Sequence, residues 1–441
     1  MKKQWNLAPG TIFWANDKKG VIVNPLKHTQ FECKPEIISF LSKKSNKIRP
    51  SDFLFLKDNG IIDFFDQKAF FKKLISMKKR EPFDGIIYIE VTKKCNLRCI
   101  GCYNNSGMQN RGELTLNKAV EIADALNKIG NPRVIITGGE PLVVRNWEGI
   151  VSTFSKRFST EIFSNGTLIT ASIAEKLKEI NVAGVKISVD GASAEIHDKL
   201  RGVPGSFHRS IIGIKNLQAV GIPVTWQATI SKANIHELED MIKLAEDVGV
   251  KYFKASPLRS IGRAKGQELA LRAAEELRLT RVLENAKEKS KVRISSGESF
   301  CDINEDWRRN QLNGKLTDIE KKFLPFVRSS MCDVGIDRFL FNFKGELRLC
   351  PLLSSDEFII ENETGKVSKE TLFSNKFSST FQKPLTEIRA CRSCGVKYLC
   401  KGSCRGETLA YSGSLEGCNI RQREYFDYML NSEVSRNVLQ G

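Results

Sequence analysis

The sequence predicts an α/β protein whose central region is an open sheet or a partial barrel of parallel strands. Between residues 84 and about 292, apolar β-branched runs alternate with amphipathic helical stretches about six times. Residues 1 to about 80 combine short apolar runs with helical stretches, which is typical of a small winged-helix-like module. Residues from about 300 onwards hold eight of the 12 cysteines and show little regular periodicity, as expected where metals supply the core.

In the N-terminal module, the apolar runs Thr11–Trp14 and Gly20–Val23 predict strands, and helices are expected around Glu36–Ser42 and Ser51–Asp58. The basic run Lys78–Arg80 is interpreted as a linker, so the first domain is placed at residues 1–80.

The central region, residues 81–300, is predicted from its alternating runs. Thr115 is a plausible N-terminal cap for its first helix. Active sites of such folds lie at the carboxyl ends of the strands. The predicted strands are Ile86–Val91, Arg133–Thr137, Glu161–Ser164, Val185–Val189, Pro223–Ile230 and Tyr252–Ala255, and the helices are Leu116–Ile129, Ile173–Ile180, Phe207–Val220 and Ile235–Val248.

Composition excludes several classes of protein. Of the 441 residues, 41% are hydrophobic, which is enough for packed cores and argues against disorder. No run of 18 apolar residues and no signal-peptide pattern is present, so a cytoplasmic protein without a membrane partner is expected. Twelve cysteines in a reducing compartment favour metal or cluster ligation over disulfides.

The net charge of +18 is unevenly distributed, because residues 1–80 alone carry 17 Lys and Arg against 7 Asp and Glu. This excess fits either a solvated basic surface or an anionic partner, which could be an acidic peptide or a nucleic acid. The module lacks the aromatic-rich surface expected for base stacking, so no nucleic-acid partner is predicted.

Three cysteines follow the first central strand directly, in the pattern C-x3-C-x2-C formed by Cys95, Cys99 and Cys102. Three thiolates so close together can hold three irons of a [4Fe–4S] cluster and leave the fourth iron free for a ligand. The alternative is a zinc site, but structural zinc usually takes four protein ligands in two pairs.

This segment resembles the radical S-adenosylmethionine (radical SAM) enzymes, a family of partial (β/α)6 barrels. The resemblance implies that Cys95, Cys99 and Cys102 ligate the catalytic cluster. It also implies that an external one-electron reductant drives cleavage of SAM to a 5′-deoxyadenosyl radical. Gly101 stands where the family usually has an aromatic residue or His, and Tyr103 follows the third cysteine.

Further matches to this family follow in order along the chain. Gly138, Gly139, Glu140 and Pro141 look like the motif that holds the SAM amino group, since glycines permit close backbone approach and a carboxylate accepts from an ammonium. The resemblance implies SAM contacts for Ser164, Asn165 and Ser188, and pairing of Arg201 with the SAM carboxylate. Asp190 could instead face the substrate, and Ile261–Arg263 looks like the backbone contact to adenine.

The last region, residues 301–441, holds eight cysteines, and the seven from Cys332 onwards are too many for one tetrahedral site and nearly right for two. Two zinc ions are one interpretation. The set also resembles the SPASM extension of radical SAM enzymes, which houses two auxiliary [4Fe–4S] clusters, for a total of three. The resemblance assigns Cys332, Cys350 and Cys404 to the first auxiliary cluster, with its fourth position open or filled by Cys301, and Cys391, Cys394, Cys400 and Cys418 to the second.

These resemblances imply radical modification of a peptide. The N-terminal module looks like a RiPP recognition element, a winged-helix domain that binds the leader of a ribosomally made precursor peptide as an added strand. A thioether cross-link from a Cys sulfur to carbon is the first expectation. The alternatives are a carbon–carbon cross-link of the Lys–Trp type and an anaerobic sulfatase-maturing enzyme, for which Asp190 could act as a base.

Overall fold

The computed structural model describes eleven stretches of the chain, and they form two compact units. One unit contains the described parts of residues 1–77 and 379–441, and the other those of residues 78–302 and 333–378. The predicted boundaries near residues 80 and 300 remain predictions from sequence. The described residues are 6–8, 11–15, 20–24, 29–33, 35–42, 55–57, 61–63, 67–296, 334–381, 385–400 and 402–431.

The N-terminal part of the chain has the predicted mixture of short strands and helices. Three strands form an antiparallel sheet in the order β2-β3-β4, and β1 pairs with β5. Ile22 and Leu41 are buried in the core of this unit. Of the helix expected over Ser51–Asp58, only residues 55–57 are described, and they are helical. The elements are β1 (Asn6–Leu7), β2 (Ile12–Ala15), β3 (Gly20–Asn24), β4 (Thr29–Cys33), α1 (Pro35–Leu41), β5 (Ile62–Asp63) and α2 (Gln67–Arg80).

The run Lys78–Arg80, interpreted as a linker, follows directly on the division of the chain between the two units, and it forms the end of helix α2. Lys78 pairs with the buried carboxylate of Asp337 at 2.5 Å, and Lys79 donates to Ser374 at 2.6 Å. Lys, Met and Arg are good helix formers and basic residues favour the last turn of a helix, so the local sequence is compatible with this end of α2.

The second unit is an α/β layer, and the predicted α/β class is confirmed. Strands β6 to β12 are all parallel, and each pairs with its neighbour in the sequence. This sequential order is that of a (β/α) barrel rather than a doubly wound sheet. The elements are β6 (Ile86–Glu90), α3 (Leu116–Ile129), β7 (Arg133–Thr137), α4 (Trp147–Ser155), β8 (Thr160–Ser164), α5 (Ala171–Glu179), β9 (Gly184–Ser188), α6 (Ala194–Arg201), α7 (Ser206–Ala219), β10 (Val224–Ile230), α8 (Leu238–Val248), β11 (Tyr252–Pro257), α9 (Ala273–Lys289) and β12 (Arg293–Ser296).

The sheet continues beyond β6 with strands from later in the chain. β13 pairs in parallel with β6, and β14 and β15 add antiparallel strands, giving ten strands in all. In the described chain, no helix is long and apolar enough to cross a bilayer. The remaining elements are β13 (Arg338–Phe341), β14 (Leu347–Arg348), β15 (Ile359–Glu361), α10 (Lys369–Phe373), α11 (Ser378–Phe381), α12 (Lys397–Cys400), α13 (Arg405–Ser412) and α14 (Ile420–Asn431).

The two faces of the parallel sheet differ in chemistry. Along β10, burial alternates residue by residue, and Trp226 and Ala228 pack with the helices in the apolar core. The intervening Gln227 and Thr229 line a cavity on the other face instead, as the period of two in a strand requires. This alternation places the helices on one face and leaves the other face for a site.

Candidate active site

The carboxyl ends of strands β6 to β11 surround a cavity of about 240 Å³ in the second unit. Its wall consists of the cysteine loop after β6 and of residues in or just after the next five strands. Glu140 and Pro141 do not line this cavity. The predicted site residues that do are Cys95, Cys99, Cys102, Gly138, Gly139, Ser164, Asn165, Ser188 and Arg201.

All three cysteine sulfurs in the cavity wall accept hydrogen bonds from the chain. Such bonds stabilise a thiolate relative to a thiol. The loop itself is anchored by backbone bonds to the end of helix α6, since the amides at 98 and 100 donate to the carbonyls at 201 and 200, both at 3.0 Å. The sulfur contacts are Leu97 N to Cys95 Sγ at 3.4 Å, Ser106 N to Cys102 Sγ at 3.4 Å and Arg201 Nη1 to Cys99 Sγ at 3.8 Å.

The donor set fits an iron–sulfur cluster better than one metal ion. Burial, followed by the nearby Glu140 carboxylate, raises the pKa of Cys95 to about 12, so a bound metal must displace its proton. A cluster bound at three corners takes each thiolate at a separate iron.

The two glycines after β7 allow backbone to press against the start of the cysteine loop. A Cβ on Gly138, whose φ is +142°, would lie 2.3 Å from the carbonyl oxygen of Thr92, and one on Gly139 would lie 2.0 Å from that of Lys94. The amides of Gly139 and Glu140 donate to these same carbonyls at 2.8 and 2.9 Å. Any side chain here would push the loop out of place, which explains why this turn requires glycine.

The Glu140 side chain is engaged with protein groups. Its carboxylate is fully buried and accepts from Ser164 Oγ at 2.9 Å and from the amides of Asn165 and Leu142 at 2.7 and 3.2 Å. Burial raises its pKa to about 7, although the three donors act in the opposite direction. Glu140 therefore joins the ends of β7 and β8, and its contact with a ligand ammonium stays a prediction. Pro141 begins the short helical turn that follows it.

Asn96 and Thr167, which were not predicted from the sequence, complete this corner of the site through hydrogen bonds with Asn165 and with each other. Asn165 donates through Nδ2 to Asn96 Oδ1 at 2.9 Å, and Thr167 Oγ1 donates to Asn165 Oδ1 at 2.6 Å. Asn96 in turn donates to Thr167 Oγ1 at 2.8 Å. The position of Asn96 between two cysteines was the available signal.

Arg201 is engaged with protein groups. Its Nη2 lies 2.7 Å from Asp190 Oδ2, and its Nη1 donates to Cys99. Asp190 also accepts the amide of Thr229 at 2.8 Å. Asp190 therefore pairs with Arg201 at the cavity wall rather than standing free as a base. Ser188 lines the cavity beside them.

His197 accepts a hydrogen bond from the backbone of Asp190, one member of this pair. It is fully buried, and its Nδ1 accepts the amide of Asp190 at 3.1 Å. Nε2 is buried and, within the described part of the chain, has no hydrogen-bond partner. Burial and then the Arg201 charge lower the pKa of His197 to about 3, so it stays neutral in the folded protein.

A His197→Gln variant is expected to lose less stability in acid than the parent protein. Below the ordinary His pKa of about 6.5, the unfolded chain takes up a proton that the folded chain refuses, so acid favours unfolding. Between pH 7 and pH 5, protonation of this one group in the unfolded chain lowers the free energy of unfolding of the parent protein by about 2 kcal/mol. Urea unfolding of both proteins at the two pH values measures the difference. His208→Gln, at an exposed position, is the control, and equal acid sensitivity of parent and His197→Gln would contradict the assignment.

The predicted adenine segment lies against the cysteine loop. Gly262 has φ +63°, and a Cβ there would lie 2.4 Å from the Cys102 carbonyl oxygen. Ile261 does not line the cavity, whereas Arg263 does. A Cβ on Gly101 would lie 2.7 Å from Leu258 Cδ1, so Leu258 takes the space beside the third cysteine. Both Leu258 and Tyr103 line the cavity.

Four C-terminal cysteines gather in the first unit. The pKa of Cys400 is raised by burial and by the charges of Cys391, Cys394 and Cys418, which places these sulfurs near one another. This is the set that the sequence assigns to the second auxiliary cluster. Burial raises the pKa of Cys391, and the charge of the buried Arg405 acts in the opposite direction.

The other predicted auxiliary set remains a prediction. Cys332, like Cys301, lies outside the described residues. Cys350 is buried in the second unit, and Cys404 caps helix α13 in the first.

Comparison with known proteins identifies the class of the second unit. Residues 89–245 match the model of the radical SAM superfamily. This stretch contains the cysteine loop and four of the strands around the cavity, so the chain carries a radical SAM domain.

Similar proteins include maturation enzymes. The chain is 34% identical over 203 residues to the AdoMet-dependent heme synthase of Nitratidesulfovibrio vulgaris, covering 45% of this chain and 55% of that relative, so it spans about half the relative's length. It is 29% identical over 335 residues to the mycofactocin maturase MftC of Mycobacterium tuberculosis, covering 74% of this chain and 80% of the relative. The fold is shared with Streptococcus suis SuiB bound to precursor peptide SuiA, with a TM-score of 0.62, 15% identity and coverage of 94% of this chain and 99% of that one.

Proposed function

We propose that this protein is a radical SAM enzyme that matures a ribosomally synthesised precursor peptide. The observation that carries the proposal is the convergence of Cys95, Cys99 and Cys102 with the ends of β7, β8 and β9 on one cavity. A non-enzymatic electron carrier would need the cysteines but not these strand ends.

Different residues of the cavity would bind the cluster and SAM. The three cysteines would hold a [4Fe–4S] cluster, and SAM would lie among Gly138, Gly139, Ser164, Asn165, Ser188 and Arg201. When bound, the reduced cluster and SAM supply a 5′-deoxyadenosyl radical for hydrogen abstraction. Among the chain's own groups, Arg201 places positive charge next to Cys99, while Phe163, Leu200 and Leu258 give the cavity apolar walls that limit access of water.

A precursor peptide as substrate is supported by two likenesses. Similarity to the mycofactocin maturase extends over 80% of that protein, well beyond the radical SAM domain. The similarity to the heme synthase is confined to 203 residues and so reflects the shared domain. We assign residues 1–80 to leader recognition, where basic charge would steer an acidic leader and an edge of the β2-β3-β4 sheet could accept a strand.

The bond formed is proposed to be an intramolecular thioether from a Cys sulfur to carbon. Two auxiliary [4Fe–4S] clusters would bind the donor thiolate or remove the electron left after bond formation, and an external reductant would supply the catalytic cluster. A carbon–carbon cross-link is the alternative that uses the same architecture. The sulfatase-maturing alternative is less well supported, because Asp190 is already paired with Arg201 at 2.7 Å.

The proposal is tested first by anaerobic reconstitution with iron and sulfide. About twelve irons per chain, with 5′-deoxyadenosine formed on addition of SAM and dithionite, is the expected result for three clusters. Bound zinc and no SAM cleavage would reject the catalytic proposal.

The substrate is then tested by co-expression with a short peptide encoded beside the gene. Each cross-link removes two hydrogen atoms, which mass spectrometry detects. Alkylation with iodoacetamide separates the bond types, because a thioether consumes a free Cys thiol and a carbon–carbon link does not. An unmodified peptide recovered with an enzyme that cleaves SAM would reject that peptide as the substrate.

A further inference from the structure

Arg263 reaches across to the cysteine loop from the short helical turn Gly262–Ala264 that follows strand β11. Its Nε donates to the carbonyl oxygen of Cys99 at 2.8 Å, and its Nη1 donates to that of Ser106 at 2.7 Å. Its backbone amide donates to the carbonyl of Cys102 at 2.9 Å. One residue thus binds the loop at three points.

The three contacts enclose one cluster ligand. Cys102 lies between the two carbonyls held by the guanidinium, and its sulfur accepts the amide of Ser106. Gly262 makes the approach possible, since a Cβ there would lie 2.3 Å from the carbonyl of Tyr103. The other side of the loop is held by the backbone bonds of residues 98 and 100 to helix α6 and by the hydrogen bond from Arg201 Nη1 to Cys99 Sγ.

The chemistry of the side chain suits this task. A guanidinium presents several N–H donors in a rigid plane, so it can satisfy two carbonyls at once and stays charged at every relevant pH. Bonds from a charged donor are stronger than those between neutral groups. A lysine offers a single flexible ammonium and cannot reproduce both bonds in the same geometry.

We propose that Arg263 is a positioning residue that holds the segment from Cys99 to Ser106 in the shape required for cluster binding and for placing SAM against it. It joins the β11 side of the cavity to the cysteine loop. The inference rests on the proposed function for its cluster and SAM, but the contacts themselves belong to the chain.

The test compares full-length Arg263→Gln with the parent, using hydrogen exchange and electron paramagnetic resonance. Amides of residues 100–106 are expected to exchange about ten- to a hundredfold faster in the variant, as loss of one or two charge-assisted hydrogen bonds implies. Exchange in β7 to β10 should stay unchanged. The SAM-induced change in the spectrum of the reduced catalytic cluster should be weakened or lost, which a general loss of stability would not cause selectively.

Two further variants make the result decisive. Arg281→Gln, at an exposed position of helix α9, should match the parent in both measurements. Arg263→Lys should be intermediate, and it carries the test if Arg263→Gln does not fold. Parent-like loop exchange and spectra in Arg263→Gln, or in Arg263→Lys if only that variant folds, would overturn the proposal. A parent protein that binds zinc and does not cleave SAM would instead reject the proposed function, and the exchange result on the loop would still be readable.

Discussion

Replacing Cys95 with alanine is expected to abolish SAM cleavage while leaving the C-terminal clusters in place. Cys95 lines the cavity and is one of three sulfurs available there to hold the catalytic cluster. With two ligands left, iron content should fall by about four per chain from about twelve. Formation of 5′-deoxyadenosine under dithionite, measured by liquid chromatography, should drop below detection.

Cys33→Ala is the matched control for this experiment. Cys33 is a half-buried thiol on β4, and burial raises its pKa to about 11, so it stays protonated. It belongs to the first unit and lines no part of the cavity. The control should keep full iron content and SAM cleavage. If Cys95→Ala still forms 5′-deoxyadenosine, the assignment of the catalytic cluster is wrong.

Replacing Cys391 with alanine is expected to stop peptide modification far more than SAM cleavage. Cys391 is buried, and the charges of Cys394 and Cys418 raise its pKa further, so it lies within a group of sulfurs. Removing it takes away one of the four ligands proposed for the second auxiliary cluster. Since the catalytic cysteines lie in a different stretch of the chain, radical generation should continue without yielding product.

The ratio of 5′-deoxyadenosine to modified peptide measures this uncoupling. The ratio should rise at least about tenfold in Cys391→Ala, because even outer-shell partners of a metal site change affinity or activity about ten- to a hundredfold, and a direct ligand should matter at least as much. The ratio should stay unchanged in Cys33→Ala. Modified peptide formed at the parent rate by a protein that has lost the auxiliary iron would show that this cluster takes no part in the reaction.

Where a prediction from sequence failed, long-range contacts overrode local preference. Helix α4 is absent from the helices predicted from sequence, and its Gly149 and β-branched Ile150 and Val151 favour a helix weakly. It forms because Trp147, Ile150, Val151 and Phe154 all bury on one side against the sheet. The run Lys78–Arg80, interpreted as a linker, is the end of helix α2, where Lys78 and Lys79 contact Asp337 and Ser374 far along the chain.

The hydrogen-bond and ion-pair partners of polar side chains could likewise not be predicted from the sequence. Glu140 stands in a motif that suggests a ligand contact, yet its carboxylate binds Ser164 and the amide of Asn165. Arg201 was assigned to a carboxylate of the cofactor, and the carboxylate it meets here belongs to Asp190. A charged side chain can form interactions of similar strength with many partners, so the pairing depends on which partner the fold places beside it.

The sequence by itself determined the α/β class, the position of three cysteines directly after the first central strand, and the glycines that follow the second. These features depend on period, spacing and backbone freedom, which are local properties of the chain. The tertiary structure alone decided that Glu140 joins two strand ends, that His197 supports Asp190, and that Arg263, 161 residues after Cys102 in the sequence, binds its loop. Such contacts arise only when the parallel strands bring distant loops to the same edge of the sheet.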